Sequence, residues 1–243
     1  MAGGLRYLYK YKQNHTRGGA KTEPGVVFSF YMDKLKVLNL YACLGGNRYK
    51  WENCEVTAIE RDPELARMYK ERFVDDVVII TDAHQYLLDH YTEFDFIWTS
   101  PPCPTHSRSR FARHESTIPE YPDMKLYEEI VFLQNYFKGK FCVENVIPFY
   151  EPLIPAKKRG RHLYWTNFNL PNELSKRVGN FMEGKDEMNN WCKFHEIDLT
   201  SYKGDQSKIK VARNLVDYQA GLTIYQCAIG AYQASKGNQL SIV

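Results

Sequence analysis

KVLNLYACLGGN, residues 36–47, is a mostly apolar run that breaks into a pair of glycines. A short apolar run closed by a turn signal is how a strand buried on both faces of a parallel sheet reads. CEVTAIE (54–60), DVVIITD (76–82), FDFIWTS (94–100) and KFCVENV (140–146) repeat the pattern, rich in β-branched and aromatic residues. Helical stretches separate them. RDPELARMYKERF (61–73) carries Pro63 near its start, AHQYLLDHY (83–91) follows Asp82, and YPDMKLYEEIVFLQNYF (121–137) spaces its apolar residues helically. Alternating strands and helices predict an α/β fold with a doubly wound, mostly parallel sheet, whose ligands gather beyond the carboxyl ends of the strands.

Beyond about Trp165 the pattern loosens. Residues 172–208 are polar and hard to assign, and KVARNLVDYQAGLTIYQCAIGAYQASKG (210–237) is mostly helical by period, with Gly221 and Gly230 weakening that reading. The expected division is a basic segment (1–35), a catalytic domain (36–166), a small recognition region (167–209) and a helical segment packed on the catalytic domain (210–243).

Bulk properties narrow the class. At 243 residues and 44% hydrophobic the chain is long enough for a substantial core. It has no apolar run of membrane-spanning length, and its start lacks the apolar centre of a signal peptide, so a soluble cytoplasmic protein is expected. Six cysteines, at 43, 54, 103, 142, 192 and 227, form no CxxC pair, so neither a zinc ribbon nor a disulfide framework is indicated. Cys192 and His195 have ligand-like spacing but no second pair, and no metal is expected. Net charge is only +3, but residues 1–21 hold five basic residues and no acid, and SRSRFARH (107–114) and KKRGRH (157–162) are two further basic knots. Such clusters beside aromatics point to a phosphate backbone as partner, against the plainer reading of solvated faces.

The strand ends carry the chemistry. Gly45 and Gly46 allow backbone amides to approach a ligand, or simply make a turn. Glu60 ends the second strand where a carboxylate accepts from a ribose diol. Asp82 ends the third, able to take an adenine amine or to cap the following helix. No GxGxxG or GxxxxGKS is present, so a nucleoside with a small charged tail, such as S-adenosylmethionine, suits these acids better than NAD or ATP. The fourth strand delivers TSPPCPTHSRSR (99–110), in which Pro101 and Pro102 stiffen the backbone before Cys103. A thiol so mounted is a candidate nucleophile, with Arg108 and Arg110 expected to lower its pKa. Glu144 interrupts the apolar fifth strand and needs a partner, either a base edge or a buried ion pair.

Together these residues resemble the DNA (cytosine-5)-methyltransferase family, in particular its compact, phage-type members. NLYACLGG stands for the family's DLFxGxGG loop, IE for its ribose-binding acid, TD for its adenine contact, PPCPTHS for its PPCxxxS loop, VENV for its ENV and RGRHLYW (159–165) for its RxR strand. The matches keep the family's order from about residue 36 to 166. Asn39 departs from the usual acid, Cys43 from a glycine and Pro104 from a glutamine; the closing GNA(V) motif is absent.

The resemblance implies a Rossmann-like class I methyltransferase fold that binds S-adenosylmethionine through Tyr41, Ala42, Leu44, Gly45, Gly46, Glu60, Arg61, Asp82, Ala83 and Pro101. It implies catalysis by Cys103, Glu144 and Arg161 on a cytosine flipped from double-stranded DNA. Ser107, Arg108, Arg110, Arg113 and Arg159 would meet the DNA, residues 104–120 acting as a mobile lid. A monomer working in restriction-modification, in a bacterial or phage-infected cell, is the corresponding expectation. An exocyclic amino-methyltransferase, suggested by SPP at 100–102, and a catalytically silent DNA-binding relative are the rival readings.

Overall fold

The central strands divide their side chains between two cores, which is what makes the sheet doubly wound. The computed structural model describes residues 34–108, 121–175 and 186–233. The strands are β1 (Leu35–Leu40), β2 (Cys54–Ile59), β3 (Val77–Ile79), β4 (Phe96–Thr99), β5 (Lys140–Val146), β6 (Lys157–Arg159) and β7 (His162–Thr166). Among the described residues they form one sheet in the order β3-β2-β1-β4-β5-β7-β6, parallel except for β7, which runs antiparallel to both neighbours. The helices are α1 (Pro63–Arg72), α2 (Ala83–His90), α3 (Lys125–Tyr136), α4 (Glu187–His195), α5 (Lys208–Arg213) and α6 (Tyr218–Ala228).

On one face Leu38, Leu40, Ile97, Phe141 and Val143 pack against α2 and α3 through Leu87, Ile130 and Leu133. On the other, Val37, Phe96, Trp98 and Tyr164 pack against α6 through Ile224 and Tyr225. Burying a large apolar side chain contributes about 1.5–3 kcal/mol, so this two-sided burial dominates the fold's stability. The parallel β1–β2 connection, residues 41–53, contains no helix. Trp51 sits there instead, stacked on Tyr225 at 5.3 Å and donating its indole N–H to the Gly221 carbonyl.

The described part of the helical stretch 210–237 holds the end of α5 and the whole of α6. Asp217 accepts from the amides of Gln219 and Ala220 and so starts α6 anew after α5. The polar region 172–208 contains α4, whose Trp191 and His195 are buried and stacked. His195 thus packs in the core of α4, and among the described residues no group of three or more His, Cys, Asp or Glu is placed to hold a metal ion. No described helix is long and apolar enough to cross a membrane.

Gly221 lets α6 cross the connection at backbone contact. A Cβ there would lie 2.4 Å from the Asn47 carbonyl oxygen and 2.6 Å from Asn47 Cα. Gly221→Ala should therefore destabilise the protein by about 1–3 kcal/mol in urea denaturation, the overpacking outweighing alanine's better helix propensity of about 1 kcal/mol. An unchanged or raised midpoint would show that the helix moves away without cost.

Candidate active site

The carboxyl ends of β1, β2, β4 and β5 meet along one edge of the sheet. After β1 the chain turns through left-handed residues, with φ of 55° at Tyr41, 47° at Cys43 and 68° at Gly45. Cys43 thus holds a conformation that suits glycine, at a cost of about 1–2 kcal/mol for a side chain. Its amide donates to Glu60 Oε2 at 2.8 Å, and the Asp62 amide donates to Glu60 Oε1 at 2.9 Å. Glu60 therefore ties the end of β2 to the β1 loop. Burial, partly offset by those amides, raises its pKa. The Cys43 thiol lies in the cluster around Leu44 and Trp191, and burial pushes its pKa up to about 12. Asn39 is buried as well, and its Oδ1 accepts from Asn47 Nδ2 at 2.8 Å.

The glycine pair answers to protein contacts. A Cβ at Gly45 would meet Phe73 Cε2 at 2.4 Å and Tyr69 Cε2 at 2.8 Å, while one at Gly46 would meet the Val216 carbonyl oxygen at 2.5 Å. Both glycines thus seat the loop against α1 and against the α5–α6 junction. Ala42, Leu44, Ala83 and Pro101 have buried side chains, and Arg61 is exposed. Asp82 caps α2 by accepting from the Gln85 amide at 3.0 Å, and this hydrogen bond lowers its pKa. The cap occupies Oδ1 and uses neither lone pair of Oδ2.

Beneath these residues lies a network that sequence reading missed. Glu129 of α3 is fully buried and accepts from Tyr41 Oη at 2.6 Å and Thr99 Oγ1 at 2.6 Å. His84 Nδ1 is 3.2 Å from its Oε1. One carboxylate therefore fastens the ends of β1 and β4 and the start of α2 to α3. Burial and then Glu129 raise the Tyr41 pKa well above its usual value, and the Glu129 hydrogen bond raises that of His84. The signal was present: position 129 lies on the same helical face as Leu126, Ile130 and Leu133, where an acid is out of pattern.

Cys103 follows β4. Asn145, next to Glu144 on β5, donates from Nδ2 to the Pro101 carbonyl at 2.9 Å, which clamps the proline pair to the neighbouring strand. The amides of His106 and Ser107 both donate to the Cys103 carbonyl at 3.0 Å. His106 is 1% exposed, pairs with Tyr150 Oη at 2.6 Å through Nδ1, and accepts the Phe149 amide on its carbonyl. Residues 104–108, expected to begin a mobile lid, are in this way bound to the chain after β5. The remainder of that stretch, with Arg110 and Arg113, and the basic N-terminal segment lie outside the described residues.

The Cys103 pKa is raised, first by burial and then by Glu144, with Lys210 opposing. Arg108, expected to lower it, turns its Nε to the Pro148 carbonyl at 3.2 Å, and Arg110 lies outside the described residues. Glu144 is almost buried, and its Oε1 lies 3.6 Å from His162 Nε2. Arg161 falls in the β6–β7 turn after Gly160, which has φ of 56°, and is exposed there. Arg159 ends β6 with its guanidinium on the carbonyls of Lys158, Leu170 and Pro171. Arg159, Arg161 and His162 border a cleft of about 710 Å³ that Trp191 and Arg213 close from the other side.

The motif order along the chain has thus become a set of neighbouring strand ends. Residues 35–149 match the C-5 cytosine-specific DNA methylase family. The match supports S-adenosylmethionine-dependent DNA methylation as the chemistry of this edge, and it ends before β6, so Arg159 and Arg161 lie outside it. A search of curated proteins found no match. Among solved structures, the Entamoeba histolytica methyltransferase EhMeth is 11% identical, covering 82% of this chain and 99% of its own, with a TM-score of 0.49. A Spodoptera frugiperda DNMT2 mutant is 22% identical over 46% of this chain and 35% of its own, with a TM-score of 0.33. An Agrobacterium tumefaciens S-adenosylmethionine-dependent methyltransferase is 19% identical over 48% and 40%, with a TM-score of 0.36. The strand order, parallel but for β7, is that of a Rossmann-like doubly wound sheet.

The methylase cofactor and the residues at this edge fit by their donor and acceptor chemistry. S-adenosylmethionine presents donors and positive charge: a ribose diol, an adenine amine, an ammonium and a sulfonium. Glu60 and Asp82 offer acceptors at adjacent strand ends. The Glu60 oxygens accept the Cys43 and Asp62 amides, and a carboxylate's four lone-pair sites leave acceptor capacity for a ribose hydroxyl.

Proposed function

We propose that the protein is a DNA cytosine-5 methyltransferase that moves a methyl group from S-adenosylmethionine to C5 of a cytosine flipped out of double-stranded DNA. The observation that carries this reading is the clamp between β4 and β5, in which Asn145 holds the Pro101 carbonyl so that Cys103 and Glu144 share one site. Glu60, Asp82 and the β1 loop bind the cofactor, and the Tyr41 ring, held by Glu129, closes its pocket. Bound S-adenosylmethionine supplies an electrophilic methyl group.

Flipping is required because C5 and C6 cannot be reached in the stack. The Cys103 thiolate forms a bond to C6 while Glu144 hydrogen-bonds the ring at N3 and the exocyclic amine, drawing electrons out of the C5–C6 bond. Electron density then sits at C5, which takes the methyl; loss of the C5 proton and expulsion of Cys103 restore the aromatic ring. Arg161 orients the base through its carbonyl oxygen from the edge of the cleft. Arg108, Arg110 and Arg113 neutralise phosphates, Ser107 donates its hydroxyl to one, and Arg159 adds positive charge at the cleft rim while its N–H groups rest on carbonyls.

A duplex library of mixed sequence containing 5-fluorocytosine tests the reading, because fluorine cannot leave C5 as a proton does. With S-adenosylmethionine present, the protein should form a covalent adduct with the DNA, stable in denaturant. DNA methylated at the exocyclic nitrogen, or an intact cofactor-binding protein that yields no adduct, would overturn it.

A further inference from the structure

His162 begins β7 beside the acid that the proposed chemistry depends on, and that chemistry assigns it no part. The β5–β7 register sets Glu144 opposite Tyr164 and Val146 opposite His162. Side chains alternate along a strand, so Glu144, Tyr164 and His162 share one face of the sheet, with the imidazole as the diagonal neighbour of the carboxyl. Nε2 reaches to 3.6 Å of Glu144 Oε1. The imidazole is 34% exposed on the cleft wall, while the Glu144 side chain is 9% exposed. His162 therefore bridges open cleft and nearly buried acid. Of the other cationic groups around the cleft, Arg159 meets three carbonyls and Arg213 pairs with Glu187 at 2.6 Å, while Arg161 stands in the β6–β7 turn.

A carboxyl group that must meet a flipped base edge-on needs its plane fixed, because a freely turning carboxyl meets the ring in the wrong orientation most of the time. We infer that His162 is a positioning residue of the methyl-transfer site, its ring N beside Oε1 fixing the plane in which the two Glu144 oxygens meet N3 and the exocyclic amine of the cytosine. This inference rests on the methyltransferase reading. His162 touches neither base nor cofactor in it and acts only through Glu144.

Two substitutions test it. His162→Ile keeps bulk and removes the donor, whereas His162→Gln places an amide N–H at a similar reach. His162→Ile should lower kcat about tenfold or more, while KM for DNA and calorimetric affinity for S-adenosylmethionine stay within about twofold. His162→Gln should restore kcat to within about threefold of the unaltered protein. Adduct formation on 5-fluorocytosine DNA should fall and recover in parallel. An unchanged kcat in His162→Ile, a His162→Gln as slow as His162→Ile, or a matching loss of cofactor affinity would each overturn the inference. If the unaltered protein forms no adduct, the methyltransferase reading falls and takes this inference with it. An active parent with a fully active His162→Ile overturns the inference alone.

Discussion

Cys103→Ala should lose methyl transfer by about 10⁴-fold or more and give no adduct with 5-fluorocytosine DNA, while binding S-adenosylmethionine as the unaltered protein does. The size follows from the removal of a covalent step, which leaves only orientation and hydrogen bonding at the base. The separation from cofactor binding follows from geometry: Cys103 sits after β4, and the acceptors Glu60 and Asp82 follow β2 and β3. The thiol also sets a pH dependence. Burial and Glu144 hold its pKa above the ordinary value, so the reactive thiolate is the minority form at neutral pH. Adduct formation should accordingly accelerate as pH rises through 8 to 9. A flat profile there, or a Cys103→Ala variant within about tenfold of the unaltered rate, would show that another group attacks the ring.

Glu129→Ala should be the most damaging change in the fold, at about 3–5 kcal/mol, because it strips the partner from three groups at once. Tyr41, Thr99 and His84 come from three different elements, and Glu129 is fully buried among them. For a chain of this size such a loss corresponds to a fall of about 6–20 °C in melting temperature. Since whole-protein stability is only about 5–15 kcal/mol, Tyr41→Phe and Thr99→Val provide gentler versions, each expected to cost about 0.5–3 kcal/mol. Both variants matching the unaltered protein would mean that the network carries no stability.

His84 adds a pH signature to the same network. Its folded pKa is raised above the ordinary 6.5, chiefly by the hydrogen bond to Glu129. Its contribution to stability is therefore full below pH 6.5 and is lost as pH climbs through the raised folded value. The urea midpoint should decline over that interval, and the decline should shrink in Glu129→Gln. No such difference would mean that His84 stays neutral in the fold.

Much of this was legible in the chain because it depends on local rules. Alternating apolar runs and helical periods announced the doubly wound sheet, and of the two readings open for Asp82 the helix cap was legible because capping needs only the next few amides. The RxR segment misled, since Gly160 turns it into a hairpin and moves Arg161 from strand to turn. Arg108, expected to lower the Cys103 pKa, instead turns its Nε to the Pro148 carbonyl, and burial, which no local rule shows, is the first cause of the upward direction.

By itself the sequence determined the strand and helix order, the acids at successive strand ends and the thiol behind two prolines, all of which follow from periodicity and fixed φ angles over a few residues. The tertiary structure alone decided which distant groups touch. It set Glu129 under Tyr41 across 88 residues, the Asn145 amide on Pro101 across 44, and His162 against Glu144 through antiparallel pairing. Such contacts depend on sheet register and on the desolvation of paired polar groups, and neither is encoded in any one stretch of the chain.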